Sequence, residues 1–343
     1  MAASTPTRVD PAGLTLPAPA RAAFPPSRSA ALERLAAVDA TAYARTRNHL
    51  RGAVTRLSPY LTHGLLSVPE VVAAAGDLNS KLVQELGWRE YFQLVHVHEG
   101  AAILRDRFGP QPRIAADAGP RRLPRALVEG RTGIHVLDEG RRALVEEGYV
   151  HNHARMWLAV VACHVAGADW RAGTFLDRPR EALLGDPIPQ VLRKTIDLDL
   201  PSEVPDLPPP ALDPKRRLLL YHPWCLDPTW RAGDDAARWL LLEPAFFERH
   251  PWSRIRLAWV LAAASEVPGL RVAVADARTV LAPRLAAHAR GEAAPVLHRA
   301  HPAVAHWPGP RDELPTAFAH RWQRASAPRS FSAYWREVGP GGR

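Results

Sequence analysis

The stretch ELGWREYF holds Glu85, Trp88 and Arg89 at i, i+3 and i+4, so a helix there carries all three on one face. A carboxylate, a large aromatic plane and a guanidinium together suit a nucleobase held by stacking and edge hydrogen bonds. They equally suit an intrahelical Glu–Arg pair beside a core tryptophan. Further on, GYVHNHARMWLAVVACHV sets Asn152, Arg155 and Met156 at the same spacing. Arginine can hold a phosphate or carboxylate, asparagine can read a ring edge, and methionine can pack on a flat surface. The alternative is an arginine paired at a helix start and a methionine in the core. A third cluster, VTRLSPYLTHGLLS, gathers Thr55, Arg56 and Ser58 just before Pro59, a residue that favours the first turn of a helix. Hydroxyls, a guanidinium and free backbone N–H groups at such a terminus form a phosphate seat. His151 and His153 invite a metal reading, but residues two apart on a helix diverge by about 200°. No HExxH or carboxylate cluster stands nearby, so no metal is expected.

These clusters need helices to position them, and the patterning supplies them. AALERLAAVDATAYARTRNHL spaces Leu32, Leu35, Ala36 and Tyr43 by helical intervals. SVPEVVAAAG reads as a helix with Ser67 as N-cap, Pro69 in the first turn and Gly76 as the stop. NSKLVQELGWREYFQLVHVHEG is a longer helix with Leu82, Leu86, Phe92 and Val95 or His96 on its apolar side. TGIHVLDEGRRALVEEG starts another near Thr132 that ends at Gly148, and the Asn152 segment follows. The first 170 residues are therefore mainly helical, with no strand alternation. Residues 1–30 read as a disordered Pro/Ala arm, and residues 173–213 as a Pro-rich linker. After it, RRLLLYHPW, ARWLLLEPAFF and RVAVADA look like strands. SRIRLAWVLAAASEVPGL and RTVLAPRLAAHARG look like helices between and after them. That alternation predicts a small α/β domain with a parallel sheet over 214–343, including a C-terminal extension. No GxGxxG or GxxxxGK[ST] follows any of these strands.

Apolar content of 47% and charge of 23% fit an ordinary soluble globular protein of 343 residues. The net charge of +9 fits an anionic partner such as nucleic acid, although 41 Arg against 3 Lys equally reflects coding bias. Cys163 and Cys225 form no metal-spaced pattern, which suits a reducing cytoplasm. No secretory signal stands at the N-terminus, and no stretch approaches the roughly 18 apolar residues of a membrane span.

Taken in order, Tyr43 with ARTRNHLRG, TRLSPYLTHGLLS, ELGWREYF, and TGIHVLDEGRRALVEEGYVHNHARMW running on to Trp170 resemble the flavin-binding helical domain of DNA photolyases and cryptochromes. The resemblance covers residues 31–172, and the C-terminal portion from RRLLLYHPWCLD to SFSAYWREV resembles the end of a bacterial cryptochrome-like subgroup. It implies FAD as cofactor, with Thr55, Arg56, Leu57 and Ser58 at its diphosphate and Tyr43 against it. It places Arg89, Asn152 and Arg155 around the flavin and DNA cavity. Glu85, Trp88 and Met156 would contact damaged pyrimidines, and Trp170 would be the middle member of a tryptophan electron-transfer chain. The implied activity is that of a deoxyribodipyrimidine photolyase, a lyase of DNA repair. Light drives an electron from FAD to a pyrimidine dimer in DNA, the dimer splits and the electron returns.

The family pattern continues past Trp170 with a DGDxAxNxxxWQW segment, whereas here DWRAG runs straight into TFLDRPREALLGDPIPQVL. Only Gly185-Asp186 resembles it. The helical domain is thus expected to be incomplete, Arg155 to lack its carboxylate partner, and FAD binding to be weakened or lost. The strand–helix order after residue 214 resembles the photolyase antenna domain, which implies a transposed domain order. The alternatives to repair are a non-enzymatic cryptochrome-like blue-light sensor or DNA-binding protein, and a cofactor-free remnant.

Overall fold

Ser67 begins a helix as its spacing predicts. Its hydroxyl accepts from the Glu70 N–H at 3.4 Å while Glu70 Oε2 accepts from the Ser67 N–H at 2.7 Å, a reciprocal cap. The computed structural model describes residues 16–105, 111, 114–115, 118–119, 122–173, 190–197, 207, 210 and 212–342. In chain order the N-terminal helices are α1 (Ala18–Ala23), α2 (Arg28–Ala36), α3 (Ala40–Thr46), α4 (Ser58–Thr62), α5 (Val68–Ala75) and α6 (Lys81–Glu99). The middle of the chain holds strand β1 (Arg122–Pro124), helices α7 (Arg125–Glu129), α8 (His135–Glu146), α9 (Asn152–Ala159) and α10 (Trp170–Gly173), and strand β2 (Thr195–Asp197). A π-helical turn, Val160–Val165, extends α9. Then come β3 (Arg217–Tyr221), β4 (Ala236–Leu242), α11 (Pro244–Arg249), α12 (Arg254–Ala264), β5 (Leu270–Val274), α13 (Ala277–Ala289), β6 (Val296–Arg299), β7 (Arg311–Asp312) and α14 (Phe331–Val338).

The expected combination of a helical part and a small parallel α/β part is present. The chain divides into two units. The first comprises Met1–Ala44, Thr55–Gly100 and Pro201–Arg343, and the second Arg45–Val54 and Ala101–Leu200. The stretch 31–172 is thereby shared between both units. Of the expected linker 173–213, residues 174–189, 198–206, 208–209 and 211 lie outside the described residues, as do Gly185-Asp186 and residues 1–15.

The first unit is built on a five-stranded sheet of order β5-β4-β3-β6-β7, parallel throughout. The near-continuous apolar runs of β3 and β4 are what burial on both faces requires. One core packs Leu218, Leu220, Trp239, Leu241, Leu281, Val296 and Trp307 together. The chain winds from β3 through β4 to β5 on one side and then returns to place β6 on the other side of β3. The order therefore reverses between β3 and β6. The strands β6 and β7 were not expected, because four and two residues carry too little alternation to read.

The expectation of a disordered arm through residue 30 does not extend to its described part. Leu16, Ala20 and Phe24 are buried, and Trp259 Nε1 donates to the Phe24 carbonyl at 2.8 Å. A partner 235 positions away supplies the burial that local composition lacks.

On α6, Leu82, Leu86 and Val95 are buried as expected, but Phe92 is 60% exposed and Tyr91 is buried instead. Gly87 lets α14 approach, since a Cβ there would stand 2.1 Å from Trp335. Gly→Ala in a helix ordinarily stabilises by about 1 kcal/mol. Gly87→Ala is expected to destabilise instead, by about 1–3 kcal/mol of overpacking. Gly140→Ala in α8, whose Cβ would meet ordinary contacts at 3.5 Å, is the control. Thermal melting of both variants checks the contrast.

The second unit pairs β1 with β2 antiparallel, a three-residue contact between segments far apart in the chain, where no strand was expected. Its core includes Ala126, Leu127, Leu137, Ala162, Cys163 and Leu192. Asp138 accepts from the Thr132 and Gly133 N–H groups at 2.9 and 3.1 Å, which fixes the start of α8. Among the described residues no helix is long and apolar enough to cross a membrane.

Candidate functional site

In the first unit, α6 carries Glu85, Trp88 and Arg89 as their spacing predicts, but their surroundings differ from one another. Glu85 pairs with Lys81 at 3.0 Å, one turn back. Trp88 lies under Phe331 of α14, stacked at 3.8 Å and 12°. Its ring is therefore a packing element between α6 and α14. Arg89 reaches Thr62 Oγ1 at 3.4 Å. Burial pulls its guanidinium down to about 10, against the opposing pull of Glu90.

The same unit holds Tyr43, half-buried on α3, and the Thr55–Ser58 turn. Thr55 Oγ1 accepts from the Leu57 N–H at 3.4 Å, and Leu57 is buried. Arg56 has φ +51 and its guanidinium lies 4.9 Å from the Phe24 ring centroid. A non-glycine residue in that region is uncommon and clusters at ligand clamps. Ser58 is exposed, and its hydroxyl has no hydrogen bond among the described residues.

In the second unit, α9 presents Asn152, Arg155 and Met156 together. The Asn152 amide stands 3.7 Å from the Met156 sulfur, so the i, i+4 expectation holds in side-chain contact. Burial lowers the Arg155 pKa, with Tyr149 opposing. His151 is the N-cap of α9: its Nδ1 accepts from the His153 N–H at 3.1 Å. That bond leaves the proton on Nε2, which is buried with no hydrogen-bond partner among the described residues. The His151 and His153 rings stand edge-on at 6.2 Å. Among the described residues no group of three or more His, Cys, Asp or Glu side chains is arranged to hold a metal. Trp170 opens α10, and its N–H donates to Gln111 Oε1 at 3.1 Å.

Pattern reading passed over the carboxyl edge of the parallel sheet. His63 and His222 are buried and neutral, each pulled to about 3 chiefly by desolvation. His222 Nε2 lies 3.1 Å from the Arg299 carbonyl, bridging the ends of β3 and β6. Buried Glu243 accepts from the Ala277 N–H at 3.0 Å and from Trp307 Nε1 at 2.7 Å, and lies 2.9 Å from His306 Nε2. The only available signal was His222 directly after β3 and Glu243 directly after β4, too short a pattern to single out.

A family model described as the FAD binding domain of DNA photolyase matches residues 82–177, a stretch that contains both ELGWREYF and HNHARMW. Through this stretch the chain is related to the photolyase and cryptochrome family. A deoxyribodipyrimidine photo-lyase of Streptomyces griseus is 34% identical over 131 residues, covering 36% of this chain and 28% of that protein. A cryptochrome DASH of Natronomonas pharaonis is 32% identical over 142 residues, covering 38% and 30%. A cryptochrome DASH of Xenopus laevis is 31% identical over 171 residues, covering 45% and 32%. The chain thus spans less than a third of the length of these curated relatives. No solved structure matches.

The photolyase-type match names FAD as the cofactor. The side chains present fit such a group. Within the first unit Ser58 offers a free hydroxyl beside Thr55, and the second unit, taken by itself, offers at His151 a buried donor with no protein acceptor among the described residues. A dinucleotide presents phosphate oxygens and ring-edge acceptors of the kind these donors lack.

Proposed function

We propose that the chain is a photolyase/cryptochrome-like flavoprotein whose Thr55, Arg56, Leu57 and Ser58 hold the FAD diphosphate. Tyr43 lies against the cofactor, and Asn152 and Arg155 hold polar edges of the flavin. When bound, FAD supplies light-driven electron transfer, with Trp170 on the electron path; the protein orients the cofactor and excludes water. Pyrimidine dimers in DNA are the substrate of this reading, with Met156 and Glu85 on the substrate side. The observation that carries it is the match over 82–177, which joins two of the clusters singled out by spacing alone. The text after Trp170 lacks the Asp/Asn/Trp-rich segment, so FAD binds more weakly here than in full-length relatives. Free, buried Cys163 and Cys225 suit a reducing cytoplasm.

One observation favours a second reading. Trp88, the aromatic plane expected against a dimer, is already stacked on Phe331. A flavin serving light sensing without dimer repair accommodates that contact. Illuminating the protein with dimer-containing DNA separates the two: repair supports the lyase, and an unchanged dimer content with a light-responsive flavin spectrum supports the sensor.

Arg155 gives the sharper test of the pocket. Its guanidinium is desolvated, and removal of a buried charge-assisted contact to a ligand costs about 1.5–3 kcal/mol. Arg155→Ala is therefore expected to weaken FAD binding at least tenfold in a flavin-fluorescence titration. Equal affinity in the variant would remove Arg155 from the pocket.

A further inference from the structure

Two arginines of the first unit differ from their neighbours. Arg28 pairs with Glu70 at 2.5 Å and Arg217 with Asp234 at 2.7 Å, while Arg284 donates to the Ala294 and Asp213 carbonyls at 3.0 and 2.8 Å. Arg89 and Arg256 are half-buried, yet among the described residues neither has a carboxylate or carbonyl partner. Arg89 makes one long hydrogen bond, to Thr62, and Arg256 lies over the Trp252 ring at 3.6 Å. Burial pulls each guanidinium down to about 10. Glu90 acts on Arg89 only at a distance, with its oxygens taken by Ala317, Phe318 and Ala319, and a desolvated cation without a direct ion pair is costly unless an anion completes it.

Both cations flank one place. Arg89 holds Thr62, the residue before His63, and Trp252 stands edge-on to His63 at 5.8 Å. His63 Nδ1 lies 2.6 Å from the Pro223 carbonyl in the loop after β3. Trp252 in turn meets Trp224 at 5.6 Å, and Trp224 stacks on His301 at 4.9 Å and 9°. His301 Nδ1 accepts from the Ala303 N–H at 3.1 Å, so its proton sits on Nε2 as a donor. Trp224 follows β3 and His301 follows β6, the two strands between which the order reverses. Parallel sheets bind ligands in the crevice at the carboxyl ends of such strands.

We propose that Arg89, Arg256 and His301 seat a phosphate-type oxyanion at the carboxyl edge of the sheet, between the ends of β3 and β6. A planar guanidinium matches two oxygens of such an anion, and the His301 N–H supplies a further donor. The nearby carboxylate, Glu243, is engaged with Ala277, His306 and Trp307. The adjoining hollow shares the Trp224 wall and is otherwise lined mainly by Pro223, Phe246, Phe247 and Trp307. This assignment takes Arg89 out of the flavin set and does not draw on the flavin reading, since none of Tyr43, Thr55, Arg56, Leu57, Ser58, Asn152 or Arg155 enters it.

Calorimetric titration of the full chain with inorganic phosphate tests it. One saturable site is expected, weakened at least tenfold in Arg256→Gln and less in Arg256→Lys. Arg254→Gln, an exposed neighbour on α12, should leave it unchanged. Uptake that does not saturate overturns the proposal. So does undiminished binding in Arg256→Gln, or equal weakening in Arg254→Gln, which marks diffuse charge attraction. Melting curves confirm that each variant folds; if Arg256→Gln does not, the wild-type titration and Arg256→Lys decide.

Discussion

Lowering the pH from about 6 to 4 should destabilise the first unit by roughly 5 kcal/mol, from His63 and His222 together. Both rings are buried and titrate at about 3 in the folded chain, because desolvation disfavours the imidazolium, against an ordinary value of 6.5. Below 6.5 the unfolded chain binds two protons that the folded unit refuses. Stability is therefore full above about pH 6.5 and is lost as the pH falls toward 3. His301, lowered well below its ordinary value by burial and by His222, adds in the same direction. From pH 6 to pH 4 the loss reaches about 5 kcal/mol, comparable with the roughly 5–15 kcal/mol of a typical domain. Acid unfolding near pH 4 is the expected result, read as thermal midpoints at stepped pH. His63→Gln, whose amide can still donate to the Pro223 carbonyl, should flatten the slope by about one proton. Midpoints that do not fall between pH 6 and 5 would contradict this account.

Glu90→Ala is expected to cost about 3–5 kcal/mol, because it leaves three backbone donors without an acceptor. The Glu90 carboxylate accepts from the N–H groups of Ala317, Phe318 and Ala319 at 2.6, 2.8 and 2.8 Å, and the residue is buried. Burial pushes its carboxyl above the usual range while these three donors pull it back. Their loss frees the segment leading into α14, whose Phe331 and Trp335 lie against α6. Glu90→Gln keeps one oxygen acceptor and should cost less. Denaturant titration gives the magnitudes, and limited proteolysis between α13 and α14 reports the release. A change below about 1 kcal/mol for Glu90→Ala would show that the three bonds carry little of the attachment.

What was legible in the sequence is local. Ser67, Pro69, Glu70 and Gly76 fix α5 through contacts within ten residues, and the spacing of Asn152 and Met156 alone places them together on α9. The apolar runs of β3 and β4 announce a buried parallel sheet for the same reason. What was not legible depends on partners far along the chain. The stacking of Trp88 on Phe331, the three donors to Glu90 and the burial of Phe24 by Trp259 join residues more than 220 positions apart. A glutamate at position 90 looks like any charged residue of an amphipathic helix until its acceptors are saturated by a distant loop. The pairing of Arg89 with Thr62, and not with a residue on its own helix, is of the same kind.

The account stands on one claim, that this chain retains the cofactor of the photolyase-type stretch over 82–177. Its most direct test is the absorbance spectrum of the purified full-length chain, before and after incubation with excess FAD and removal of unbound cofactor by gel filtration. The expected result is a blue flavin band that co-elutes with the protein and is diminished in Arg155→Ala. A protein that elutes colourless after that incubation would contradict it.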